Sequence, residues 1–151
     1  MDADYLISRK MYSEIRKHLD KKEITIISGI RQCGKSTVLH ELKINLEAEN
    51  NKTLFLNFDF DSDKKFLETQ EALVNKIKLK FGNNKGYVFI DEIQRRENAG
   101  LYLKEIYDLR LPYKFIVSGS GSIELKEKIH ESLAGRKRVF GMIPVNFIEF
   151  I

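Results

Sequence analysis

Residues 29–36 read G-I-R-Q-C-G-K-S and stand between a β-branched run, residues 24–28 (ITIIS), and a stretch with helical spacing. A strand that runs into two glycines, a lysine and a hydroxyl, and restarts as a helix, constrains this chain more than any other feature. Gly29 and Gly34 can take backbone angles that turn the intervening N–H groups inward, making a nest for anionic oxygens. The helix opening near Lys35 points its positive end at the same place. Lys35 can reach the terminal phosphates of a bound polyphosphate, and Ser36 can offer its hydroxyl to a divalent cation. At average residue frequencies the four fixed positions coincide by chance in about one chain in a few hundred of this length. An ordinary glycine-rich turn is therefore a poor account. The loop predicts phosphate binding by Gly29, Arg31, Gln32, Cys33, Gly34, Lys35, Ser36 and Thr37.

The remaining periodicity builds a sheet around this loop. Met11, Ile15 and Leu19 form a helical stripe ahead of the first strand, and residues 1–22 are expected to pack a helix on a core that fills 23–151. Residues 24–28, 53–58, 87–90, 114–117 and 138–143 read as five short apolar strands. Helices are expected over 35–49, 64–81 and 100–110, with a short one over 123–133. Strands of four to six residues alternating with helices predict an α/β domain, a parallel sheet covered on both faces. The sequence ends on P-V-N-F-I-E-F-I without a polar tail. An end this apolar is expected to be covered, by this domain, by a partner or by further chain, and the reading here is a fragment prone to self-association.

Composition excludes more than it selects. The 151 residues are 42% hydrophobic and 32% charged, suited to one soluble domain. No apolar run approaches the roughly 20 residues of a membrane span, and the first residues are not a signal peptide. Cys33 is the single cysteine, so an intrachain disulfide is impossible and a cytoplasmic location is expected. His18, His40 and His130 have no metal-ligand spacing with it and are read as surface or helix residues. The net charge of +4 is a mild excess; residues 76–85 (KIKLKFGNNK) read as a solvated helix face and turn.

A second chemical signal lies about fifty residues beyond the loop. Residues 87–92, Y-V-F-I-D-E, are an apolar strand closed by two carboxylates. Asp91 is placed to hold Mg²⁺ together with Ser36, and Glu92 to orient and deprotonate a water. Ser118, read as the end of the fourth strand, stands where a polar residue could sense the terminal phosphate, or where a serine–glycine turn begins.

Taken in order, G-I-R-Q-C-G-K-S-T-V-L, V-F-I-D-E-I-Q, V-S-G-S-G-S, E-S-L-A-G-R and I-P-V-N-F-I-E-F resemble the AAA-type ATPase domain of a large group of prokaryotic P-loop ATPases. That group is similar to the archaeal ATPases and the STAND NTPases, and the match spans residues 12–150. The resemblance implies a three-layer P-loop NTPase of the additional-strand (ASCE) type with sheet order 5-1-4-3-2. It implies ATP and Mg²⁺ as ligands and Glu92, Lys35 and Ser118 as catalytic residues; Arg136, in L-A-G-R, is read either as an arginine finger acting in cis or from a neighbouring subunit or as a surface residue flanking a strand. The resemblance also implies further helices and a restriction-nuclease-like domain beyond Ile151, and slow hydrolysis by this stretch alone. Ser118 stands where threonine is more usual, which keeps the hydroxyl.

Three functions follow. The first is Mg²⁺-dependent ATP hydrolysis used as a switch or motor for a C-terminal part. The second is a small-molecule kinase in which Asp59 or Asp61 deprotonates an acceptor; the adjacent Asp91–Glu92 pair favours water instead. The third is a non-catalytic nucleotide-binding module of a DNA-associated assembly, against which the intact Lys35, Asp91 and Glu92 argue. ATP or ADP is the expected partner, with a protein or nucleic acid open and no membrane.

Overall fold

The computed structural model describes residues 9–29, 34–121 and 133–142. Five parallel strands form one sheet: β1 (Ile24–Gly29), β2 (Thr53–Asn57), β3 (Gly86–Asp91), β4 (Tyr113–Ser120) and β5 (Lys137–Met142). Their order is β2-β3-β4-β1-β5, the expected 5-1-4-3-2 read from the other edge. Helices α1 (Arg9–His18), α2 (Lys35–Ala48), α3 (Asp61–Leu67), α4 (Gln70–Phe81) and α5 (Ala99–Asp108) cover it, with a single 3-10 turn at Ile93–Arg95.

Alternation along the strands divides the apolar residues between two cores, because successive side chains on a strand face opposite ways. Ile26, Val88, Ile90, Phe115 and Val117 point to one face, where they meet Leu73 and Ile77 of α4 and Tyr102, Leu103 and Ile106 of α5. Ile27, Phe89 and Ile116 point to the other, against Val38, Leu39, Leu42 and Leu46 of α2. The stripe of α1 closes this second core: Ile15 and Leu19 are buried among the α2 side chains and Phe140 of β5.

The expected helix over 64–81 is two helices. Thr69 is extended (φ −131°), and its Oγ1 accepts the Ala72 N–H at 3.0 Å, capping α4 and stopping α3 two residues earlier. The fourth strand runs on to Ser120, three residues past its expected end. His18, though a helix residue, is buried, with Nδ1 2.6 Å from Thr25 Oγ1 and its ring edge-on to Phe140. Lys76 is half-buried, its ammonium over the Phe66 ring, while Lys78, Lys80 and Lys85 are exposed as expected. The helix expected over 123–133 (all but Leu133), the apolar end and Arg31, Gln32 and Cys33 lie outside the described residues.

Two predictions follow from this packing. A Cβ at Gly86 would lie 2.4 Å from the Phe81 ring, which is itself buried edge-on to Tyr113 and cannot swing away. Gly86→Ala should therefore cost about 1–3 kcal/mol in urea unfolding. Burial, and then the nearby Lys114 ammonium, pull the pKa of His18 from 6.5 down to about 4. The unfolded chain then takes up this proton near pH 6.5 and the folded chain only near pH 4, so stability should fall as pH drops through that window. His18→Gln should flatten that part of the stability–pH curve.

Candidate functional site

The chemistry-bearing residues collect where β1, β3 and β4 end. Gly29 closes β1 and is in register with Ser120 of β4; Asp91 closes β3 opposite Asn57 of β2. Ligands of open parallel sheets bind at such carboxyl ends. Gly34 is left-handed (φ 92°), a conformation open to glycine, and is the N-cap of α2, which starts at Lys35 without a hydrogen bond from the cap's side chain. A helix start left uncapped in this way has N–H groups to offer an anion.

Lys35 departs from expectation. A lysine awaiting phosphate is expected to face solvent, yet Lys35 is 5% exposed and its Nζ donates to the Gly29 carbonyl at 3.1 Å. The same carbonyl accepts the Gly121 N–H at 3.4 Å. Ser36 is exposed and its Oγ donates to Asp91 Oδ2 at 2.6 Å, which brings the loop and the end of β3 together across 55 residues of chain. Thr37 is exposed on the first turn of α2.

Asp91 is 1% exposed, so its oxygens depend on hydrogen-bond partners within the protein. Three donors meet it: Ser36 Oγ on Oδ2, and on Oδ1 both Ser118 Oγ and the Glu92 N–H at 3.0 Å. Ser118, expected as a sensor of the terminal phosphate, is thus one of the donors to Asp91. It is wholly buried, its hydroxyl donates to Asp91 and accepts from the Glu92 N–H at 3.3 Å, and it lies two residues before the strand end. Glu92 is half-buried and left-handed (φ 62°), starting the 3-10 turn.

Arg136 lies at the other end of the sheet. Its carbonyl accepts the Ile24 N–H at 2.9 Å where β1 begins, and its guanidinium pairs with Asp108 at 3.1 Å. The five-step length of β1, about 3.3 Å per residue, separates it from the loop, so a finger in cis is ruled out. The kinase bases fare no better. Asp59 is paired with Arg95 at 3.0 Å, and Asp61, its side chain 98% exposed, with Lys64 in the next turn.

Gln94 went unassigned in the sequence. Its Nε2 donates to Glu92 Oε2 and its Oε1 accepts the Ser120 N–H at 3.0 Å. The signal was the D-E-I-Q run itself, but its partner on β4 is 26 residues away. Ser36 and Asp91 offer one hydroxyl and one carboxylate side by side, a donor set that suits Mg²⁺, which keeps several waters. No group of three or more His, Cys, Asp or Glu able to cage a metal occurs among the described residues.

Fold and site together define a P-loop NTPase. The chain belongs to the AAA domain family, whose model matches residues 21–151, and is an ATP-binding AAA-type domain. It is similar to two uncharacterised proteins of Methanocaldococcus jannaschii. One is 29% identical over 87% of this chain and 28% of its own length; the other is 30% identical over 91% and 30%. An uncharacterised protein of Haemophilus influenzae is 28% identical over 97% of this chain and 38% of its own length. The chain thus spans 28–38% of these relatives. Among solved structures it resembles a DNA replication initiation factor (TM-score 0.61, 14% identity, 96% of this chain and 50% of that one). It also resembles Drosophila ORC bound to poly(dA/dT) DNA and Cdc6 (TM-score 0.53, 12% identity, 89% and 32%). At such identities the likeness is one of fold. No described helix is long and apolar enough to cross a membrane.

Removing the buried hydroxyl tests the hydrogen bond from Ser118 to Asp91. Ser118→Ala should lower stability by about 1.5–3 kcal/mol in urea unfolding, as expected for a buried hydrogen bond to a charged group. A sensor hydroxyl reaching into an open site would leave stability unchanged.

Proposed function

We propose that this domain hydrolyses ATP with Mg²⁺, and that the cycle serves as a switch or motor step for further domains of the kind its longer relatives have length for. The observation that carries this is the 2.6 Å contact between Ser36 Oγ and Asp91 Oδ2. It brings the loop hydroxyl and the strand carboxylate to one point, with Lys35 and Glu92 beside them.

In this reading the loop backbone and the start of α2 bind the phosphates through N–H groups. Lys35 exchanges the Gly29 carbonyl for a phosphate oxygen, a short move for a flexible side chain that keeps its charge paired throughout. Ser36 and Asp91 would hold Mg²⁺, which supplies charge neutralisation at the β- and γ-phosphate oxygens. Glu92 accepts a proton from the water that attacks the γ-phosphorus. As the new P–O bond forms, the bond to the β-phosphate oxygen breaks and ADP leaves with the electron pair. Ser118 acts by keeping Asp91 in place. Arg136 has no part within its own chain; its reach to a phosphate would be to that of a neighbouring copy. A DNA-associated role is a second reading, supported by the likeness to the DNA-bound ORC and by the net charge of +4.

Lys35→Ala should weaken MgATP binding by about 10²–10³-fold, in keeping with the roughly 4 kcal/mol of a charge pair at 4 Å near a surface. Glu92→Gln should bind MgATP within a few-fold of wild type and lower single-turnover hydrolysis by about 10² or more. Calorimetry and rapid-quench kinetics check the two. ATP affinity unchanged in a folded Lys35→Ala variant would overturn the phosphate-loop reading, and wild-type turnover by Glu92→Gln would overturn the assignment of the base.

A further inference from the structure

The side-chain amide of Gln94 faces two partners of opposite kind. Ser120 presents an N–H, which can only donate, and Oε1 of Gln94 accepts it at 3.0 Å. With the oxygen so placed, the amide nitrogen faces Glu92 and donates to Oε2. A flipped amide would set donor against donor at Ser120 and acceptor against carboxylate at Glu92, so the network admits one orientation. Glu92 Oε1 makes no hydrogen bond among the described residues.

Gly119 is shaped to this arrangement. A Cβ there would come within 2.8 Å of Ile93 Cγ2 and 3.2 Å of Gln94 Oε1, so the end of β4 rests against the 3-10 turn because position 119 carries no side chain. Ser120 in turn is in register with Gly29, where the phosphate loop leaves β1. A continuous path therefore runs from the loop through the end of β4 to the carboxylate of Glu92.

We propose that Gln94 is a positioning residue. It ties one oxygen of Glu92 to the end of β4 and leaves the other to receive the attacking water. This rests on the reading of Glu92 as the base. A glutamate side chain has freely rotating torsions, and ordering it costs about 1.5–2 kcal/mol. Glu92, half-buried, has no other side-chain partner among the described residues to meet that cost. Gln94 acts through Glu92 and touches neither nucleotide nor water, so its loss should affect turnover and spare binding.

The test uses Gln94→Leu, Gly119→Ala and the double variant, with MgATP affinity and single-turnover hydrolysis measured separately. Each single variant should turn over about tenfold or more slower, as misplaced catalytic groups do, while affinity changes by less than about threefold. The double variant should be no slower than Gln94→Leu, because both remove one contact. In a Glu92→Gln background, Gln94→Leu should cost nothing further. A second measurement needs no activity. In ¹⁵N–¹H spectra the Gln94 side-chain amide pair, identified by its loss in Gln94→Leu, should shift on Glu92→Ala.

Wild-type or faster turnover by Gln94→Leu overturns the proposal. So does a further loss in the Glu92→Gln background, or an amide pair indifferent to residue 92. Should Gly119→Ala fail to fold, Gln94→Leu and the spectra still decide. Wild-type turnover by Glu92→Gln would instead sink the assignment of the base, an outcome distinct from failure at Gln94.

Discussion

A carboxylate taken almost wholly out of water holds this site together. Hydroxyls from Ser36 and Ser118 and the N–H of Glu92 converge on Asp91 at the end of β3 and satisfy its buried oxygens. Each donor comes from a different part of the chain: the start of α2, the interior of β4 and the turn after β3. Satisfying one buried carboxylate thereby fixes the relative positions of three elements. The phosphate loop is anchored to β3 by a side-chain contact as well as by the sheet between them.

This arrangement explains why a hydroxyl appears where the fourth strand is otherwise apolar. In the run Phe115-Ile116-Val117-Ser118, the first three residues feed the two cores, and the fourth faces the carboxylate rather than a ligand. The residues that finish the strand, Gly119 and Ser120, then meet the 3-10 turn through Gln94. Polar residues at the strand ends are thus arranged in depth. The buried ones hold the framework, and the half-buried ones stand nearer the space a nucleotide would occupy.

How much of this was legible in the sequence depended on the range of the interaction. The phosphate loop is a local device, its spacing set by the backbone of eight residues, and it could be read directly. The two-sided sheet could be read as well, because β-branched runs such as Ile24 to Ile27 announce burial on both faces. The break between α3 and α4 was readable in principle, since Thr69 is a capping residue followed by helix formers, but the apolar stripe through Phe66 and Leu73 runs across it. The contacts that could not be read turned on long-range geometry. Arg136 closes the telling L-A-G-R run, yet the direction of β5 puts it at the far end of the sheet. Lys35 meets the carbonyl of Gly29, the last residue of β1. Gln94 and Ser120 meet only once β3 and β4 are paired.

The central place of β1 has a consequence for how the chain acquires its structure. Its two neighbours are β4 and β5, so Thr25 must wait for Ile116 on one side and Arg138 on the other. The strand that carries the phosphate loop is made first of the five strands and is among the last to find partners. Until then its run of Ile24, Ile26 and Ile27 is an unpaired apolar edge, whereas β2, β3 and β4 each pair with a sequence neighbour. Long-range parallel pairing of this kind is slow and leaves such edges open to other chains. During synthesis the segment that will bind phosphate is therefore also the one most in need of shielding.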